Sequence, residues 1–216
     1  MQWRYRLPAV SLASFAHAMK SATPPITEGI CMPPFYAGKH DDFGALMSIV
    51  ATLRPGLLLE LGTAYGNTVA NICRECPNTR VYTVNAPAED MSGKLTTYGL
   101  TREEIGSVYK RYGFSDRVVQ IYCDTLQLDL SGYLAGAVLD LAIIDACHDP
   151  MHVVNDFLKV VAYVRPHGLV LLHDTHPSMS QHLWGSYVGC MILRRSGYDI
   201  RHIADTWWAV WRKAGE

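Results

Sequence analysis

The chain has 216 residues, 49% of them hydrophobic and 18% charged, enough for one globular domain with a full core. Its formal charge is −1 with a pI near 6.7, and no basic block or stripe occurs, which argues against a nucleic-acid partner. No apolar run reaches the roughly 18 residues that span a membrane.

Residues 1–40 read as an arm with a short helix over Leu12–Met19, and the pairs Pro24-Pro25 and Pro33-Pro34 break regular structure. The early apolar patch is interrupted by Ser11, Ser14 and His17, so it reads as a helix and not as a secretory leader. The arm's prolines and aromatics suggest a homodimer contact. From residue 41 onward a single domain is expected. Asp41 or Asp42 can cap a helix over Phe43–Leu53, ended by Arg54-Pro55-Gly56.

Leu57–Leu61 is the first strand, followed by a glycine-rich turn and a helix over Val69–Cys76. Arg80–Asn85 is the second strand. Residues 86–100 are irregular. Thr101 and Glu104 form a capping-box pattern that predicts a helix to Tyr112. Val118–Cys123 and Leu139–Asp145 are strands three and four, and Met151–Val164 is an amphipathic helix. A turn at Arg165-Pro166-His167-Gly168 precedes strand five, Leu169–His173. Ser180–Arg195 reads as a helix. Asp199–Ile203 and Trp207–Trp211 then close the chain as an antiparallel hairpin. Strands alternating with helices predict an α/β fold: a Rossmann-like, doubly wound, mostly parallel seven-stranded sheet ending in that hairpin.

Several of the six cysteines (Cys31, Cys73, Cys76, Cys123, Cys147, Cys190) fall inside expected elements, as buried free thiols in a reducing, cytoplasmic compartment do. Cys73 and Cys76 form a C-x-x-C late in a helix, where the dipole does not activate a thiol, so a structural role is expected.

The motifs ELGTAYGNT (60–68), VYTVN (81–85), CDT (123–125), LAIIDACH (141–148) and RPHGLVLLHD (165–174) fall in order at successive strands. In this the chain resembles the class I S-adenosylmethionine-dependent methyltransferases from about Asp41 to the end. The donor has a sulfonium, an ammonium, a ribose diol and an adenine but no phosphate, which suits carboxylates and close backbone approach. The resemblance implies that Glu60 meets the methionine ammonium and that Gly62 and Gly66 admit the ligand. Thr63, Asn67 and Thr68 line the same turn, and Asp124 with Thr125 contact the adenine edge. Asn85 stands where the family usually carries an acidic residue on the ribose diol. Its amide can accept from one hydroxyl and donate to the other.

Asp145, His148, His152 and the run His173-Asp174-Thr175-His176 would project into one cleft at the strand ends. They resemble the metal-dependent O-methyltransferases of catechols and antibiotic sugars. That likeness implies a Mg²⁺ or other divalent ion on Asp145, His173 and Asp174, with His148 as catalytic base beside Asp145. Plainer uses remain open. Asp145 can contact the methionine part of the cofactor, Asp174 can cap the turn through Thr175 and His176, and His148 can be a surface residue. The expected function is O-methylation of a small hydroxylated acceptor. A binding-only protein, or a metal-dependent hydroxylase or hydrolase on the same fold, is the alternative.

Overall fold

The computed structural model describes residues 6–18, 42–91, 99–176, 178 and 184–215. The strands are β1 (Ala9–Val10), β2 (Leu57–Leu61), β3 (Arg80–Asn85), β4 (Val118–Tyr122), β5 (Leu139–Ile144), β6 (Val164–Leu172), β7 (Arg201–Ile203) and β8 (Ala209–Arg212). They form one sheet in the order β1-β7-β8-β6-β5-β2-β3-β4. Only β8 runs antiparallel to its neighbours, β6 and β7. From β2 the chain first builds outward through β3 to β4. It then returns to lay β5 and β6 on the other side. The switch therefore falls between β2 and β5, where parallel sheets of this type open a ligand crevice.

The helices are α1 (Leu12–Ala18), α2 (Asp42–Leu53), α3 (Asn67–Glu75), α4 (Ser107–Arg111), α5 (Leu130–Leu134), α6 (Pro150–Val161) and α7 (Trp184–Arg195). The two sheet faces carry separate apolar layers. Leu59, Leu61, Val170 and Leu172 pack with Phe157 and Leu193 of α6 and α7. Leu58, Leu141 and Leu171 pack with Ile49 of α2 and Ile72 of α3. Alternate residues of one strand thus fill both layers, which is why these strands read as continuous apolar runs.

Three expectations change, and one element is new. The sheet has an eighth strand, because Ala9–Val10 of the presumed arm pairs in parallel with β7 and Phe15 joins the core beside α2. The expected turn at 165–168 is an excursion within β6: pairing shifts between Leu139/Val164 and Leu141/Leu169, and His167 takes φ 64°. The helix expected from Thr101 is shortened to Ser107–Arg111. Its capping box does form, with Thr101 N–H donating to Glu104 at 3.0 Å, but Gly106 at φ 72° interrupts the helix behind it. The short helix α5 had no signal in the sequence reading. Residues 180–183, the start of the last expected helix, and the proline pairs of the arm lie outside the described residues.

The five described cysteines are all free, and burial pushes the Cys73 thiol up to about 11, away from reactivity. Among the described residues no helix is long and apolar enough to cross a membrane.

Candidate active site

The glycine turn after β2 is fixed by its backbone. Gly62 and Thr63 N–H both donate to the Val84 carbonyl, at 2.9 and 3.2 Å, and Gly66 N–H donates to the Thr63 carbonyl at 2.8 Å. Gly62 has φ 107°, and a Cβ there would stand 1.8 Å from the Asp145 carbonyl oxygen. No other residue fits. Gly66, at φ 81°, lies against Gly106 and Tyr109 and leads into α3, whose first residues are Asn67 and Thr68.

Beneath the turn lies a buried polar chain. Thr83 Oγ1 donates to Glu60 Oε2 at 2.6 Å, Thr63 Oγ1 and Thr83 Oγ1 are 2.7 Å apart, and Gln120 Nε2 donates to Thr63 Oγ1 at 3.0 Å. Burial pushes the Glu60 carboxyl up to about 8, with the Thr83 hydrogen bond opposing and the charge of Asp145 reinforcing the rise. Asn85 also serves the turn. Its Oδ1 accepts from Ala64 N–H at 3.0 Å, where Ala64 has φ 44°, and its Nδ2 donates to the Ala86 carbonyl at 3.0 Å. Each end keeps further hydrogen-bonding capacity.

Asp124 and Thr125 part company. Asp124 accepts from Leu126 N–H at 3.0 Å and lines a cavity of about 170 Å³ with Ala86, Pro87, Asp90, Met91, Tyr122, Cys123 and Gln127. Thr125 is buried and turned to α6. Lys159 of α6 donates to the Thr125, Leu126 and Leu128 carbonyls at 2.6, 2.7 and 3.1 Å, which pins the turn at the edge of this cavity. Residues 86–91 belong to the irregular segment 86–100 that the sequence marks as a candidate lid, whereas Lys159 was missed, since a helix-surface lysine carries no motif.

Beyond β5 and β6, Asp145, His148 and Asp174 converge, each offering a ligand atom within 4.8 Å of the others. His148 Nε2 stands 2.7 Å from Asp174 Oδ2 and 4.0 Å from Asp145 Oδ1. The nitrogen is buried, yet it lacks the alignment of an N–H···O bond to either oxygen. Gly185 of α7 presses on the loop behind it, where a Cβ would meet the His148 carbonyl at 1.9 Å. Asp174 is buried and has φ 55°, a left-handed backbone.

His173, expected as a ligand, stands behind this group. Its Nδ1 is 3.4 Å from Asp145 Oδ1 and 3.3 Å from Asp174 Oδ1, and its Nε2 is 3.7 Å from Asp42 Oδ2. Desolvation lowers the affinity of both imidazoles for protons, but the neighbouring carboxylates outweigh it. Asp174, then Asp145, raises His148, and Asp145 with Asp42 and Asp174 raises His173 well above its usual value. Asp145 is held low: desolvation alone would raise it, and the charges of His173 and His148 prevail. His152 pairs with Asp149 at the surface and His176 with Ser178, both outside the group.

Residues 59–175, more than half of the chain, match the family model of a methyltransferase domain. No curated protein sequence matches. Among solved structures the chain is similar to cofactor-bound Rv0187 from MTB, at 19% identity and TM-score 0.60 over 95% of this chain and 88% of that one. It is also similar to the O-methyltransferase TomG from Streptomyces achromogenes, involved in tomaymycin synthesis and solved with SAM, at 15% identity and TM-score 0.58 over 95% and 88%. A third is the O-methyltransferase from Bacillus cereus in complex with SAH, at 16% identity and TM-score 0.54 over 92% and 86%. At such identities the likeness establishes the fold.

Proposed function

This chain belongs to the class I S-adenosylmethionine-dependent methyltransferase family, and we propose that it methylates a hydroxyl group of a small molecule at the Asp145–His148–Asp174 cluster. The observation that carries this reading is the backbone contact of Gly62 with Asp145, which sets the donor turn directly beside the cluster. A hydroxyl held over the strand ends gives up its proton, to solvent water when a cation lowers its pKa or to His148 when that nitrogen is the base, and its oxygen attacks the sulfonium methyl in line. The O–CH₃ bond forms as the S–CH₃ bond breaks, and S-adenosylhomocysteine leaves with the electron pair. The turn and the cluster contribute chiefly orientation.

Two carboxylates and an imidazole suit a divalent cation, and the buried, unaligned Nε2 of His148 fits a ligand aimed at a shared point. When bound, such an ion supplies Lewis acidity that lowers the pKa of the acceptor hydroxyl. In this reading His148 is a ligand, in place of His173. Without an ion the same nitrogen is the general base, and Asp174 at 2.7 Å stabilises the imidazolium it becomes. The two uses exclude each other, and the carboxylate oxygens of the buried Asp174 and the partly exposed Asp145 gathered around Nε2 favour the ligand.

On the donor side, the cavity by Asp124 and Gln127 accommodates the adenine, Asn85 faces the ribose while holding Ala64, and Glu60 acts on the ammonium from below the turn. Calorimetry with S-adenosylmethionine tests the donor site, and absence of binding sinks the proposal. Labelled-methyl transfer to a panel of phenols and sugars, with and without chelator, then separates the two roles of His148. Chelation abolishes turnover if it is a ligand and leaves turnover intact if it is the base. Unchanged turnover in both His148→Ala and Asp174→Ala removes the cluster from the mechanism.

A further inference from the structure

Asp42 is the first residue of α2 and lies outside the segment that matches the methyltransferase family model. It is 5% exposed, and His173 is 8% exposed. The C-terminal hairpin grips Asp42 twice. Its Oδ1 accepts from Trp207 N–H, and its carbonyl accepts from Trp208 Nε1 at 2.9 Å. The same hairpin walls in the His173 ring, which lies 4.2 Å from the Trp208 ring and 6.3 Å from that of Trp207. Thr175 N–H and Oγ1 both donate to the Trp207 carbonyl, so the strand end carrying His173 and Asp174 is tied to the hairpin as well.

We propose that Asp42 and His173 are positioning residues that hold Asp145 and Asp174 in the geometry the cation site needs. The inference rests on the cation reading above. The imidazole has its Nε2 3.7 Å from the buried Asp42 carboxylate, an electrostatic contact and not a hydrogen bond, and packs at a tilt against the Trp208 ring, with its Nδ1 3.4 and 3.3 Å from one oxygen each of Asp145 and Asp174. Asp174 meets His173 with Oδ1 and His148 with Oδ2, so its carboxylate plane is set from both ends. Without His173, Asp145 and Asp174 are free to turn about their side-chain torsions and repel each other across the site. Partners behind ligand carboxylates typically account for about 10- to 100-fold in metal affinity. Here the partner is an imidazole, itself faced by a buried carboxylate of α2.

The experiment measures Mn²⁺ affinity, S-adenosylhomocysteine affinity and Tm for the wild type, Asp42→Asn, His173→Leu and His173→Asn. The asparagine carries an N–H near the position of Nδ1. Expected is a loss of Mn²⁺ affinity of about ten-fold or more in His173→Leu, a smaller loss in Asp42→Asn and partial recovery in His173→Asn. S-adenosylhomocysteine affinity stays at the wild-type value in all three. Mn²⁺ binding that is unchanged in His173→Leu overturns the inference, and so does a loss matched by equal losses of S-adenosylhomocysteine affinity and Tm. Absence of Mn²⁺ binding to the wild type overturns the cation reading itself, and the inference with it.

Discussion

The Cα of Gly62 lies so close to Asp145 that a Cβ would stand 1.8 Å from the Asp145 carbonyl oxygen. This contact joins the last residue before the donor turn's bend to the first residue of the acceptor cluster. Asp145 N–H also donates to the Leu61 carbonyl at 2.8 Å, so the two segments meet backbone to backbone. Gly62→Ala adds both left-handed strain and a clash, at an expected cost of about 2–4 kcal/mol. Gly113→Ala is the control: φ is 76° but nothing lies within 4 Å, so only the strain of about 1–2 kcal/mol applies. Chemical denaturation of both variants checks the difference, and equal losses would remove the packing role.

Glu60 predicts a pH dependence. Its carboxyl, raised by burial to about 8, binds a proton more tightly in the folded chain than in the unfolded one. Its contribution to stability is therefore full below the ordinary value of 4.5 and is lost as pH rises from there toward about 8. Without ligand, the Tm of the wild type should fall across this window relative to Glu60→Gln. The proposed ammonium contact needs the ionised form, so S-adenosylmethionine binding below about pH 8 should release a proton. Calorimetry in buffers of different ionisation enthalpy detects that release, and its persistence in Glu60→Gln would assign it elsewhere.

Asn85 predicts a split between two substitutions. Asn85→Ala leaves Ala64 N–H without its acceptor and should cost about 1–3 kcal/mol while weakening S-adenosylhomocysteine binding. Asn85→Asp keeps the acceptor and adds a charge where the diol is proposed to sit, so affinity should be retained or improved. Calorimetry with the two variants decides; equal weakening in both would mean that the amide itself is required.

Lys159 predicts that the cavity proposed for the adenine can be loosened from a distance. Lys159→Met strips three carbonyls of their charged donor, at about 1–3 kcal/mol, and frees the turn that carries Asp124 and Gln127 to the cavity. A weaker S-adenosylhomocysteine affinity is expected, read against Tm. Unchanged affinity would show that the turn holds its shape unaided.

The centre of the sheet was legible because β2, β5 and the latter half of β6 are near-continuous apolar runs and the five strands β2 to β6 each end in or beside a distinctive residue: Glu60 before Gly62, Asn85, Asp124, Asp145 and His173-Asp174. β1 was not, since two residues are too short for any periodicity, and its pairing with β7 is a contact between opposite ends of the chain. The excursion at Pro166 and His167 has turn composition, and only its pairing to β5 and to Lys213 keeps it in the sheet. At the cluster, the residue types were readable but their arrangement was not. Whether His148 or His173 joins Asp145 and Asp174 depends on how α7 presses the His148 loop and how the tryptophan hairpin encloses His173. Asp42 reads locally as a helix cap, and only the hairpin brings it behind the site.

The most direct test uses S-adenosylmethionine labelled with ¹³C at the transferable methyl, followed by NMR on the bound donor as Mn²⁺ is added. A donor seated at the glycine turn beside a cation on Asp145, His148 and Asp174 should lose its methyl signal to paramagnetic broadening near one equivalent of Mn²⁺. Asp174→Asn should keep the signal at the same Mn²⁺ level. A bound donor whose methyl resonance is untouched by Mn²⁺ in the wild type would contradict the account, because the donor turn and the cluster would then not share one site.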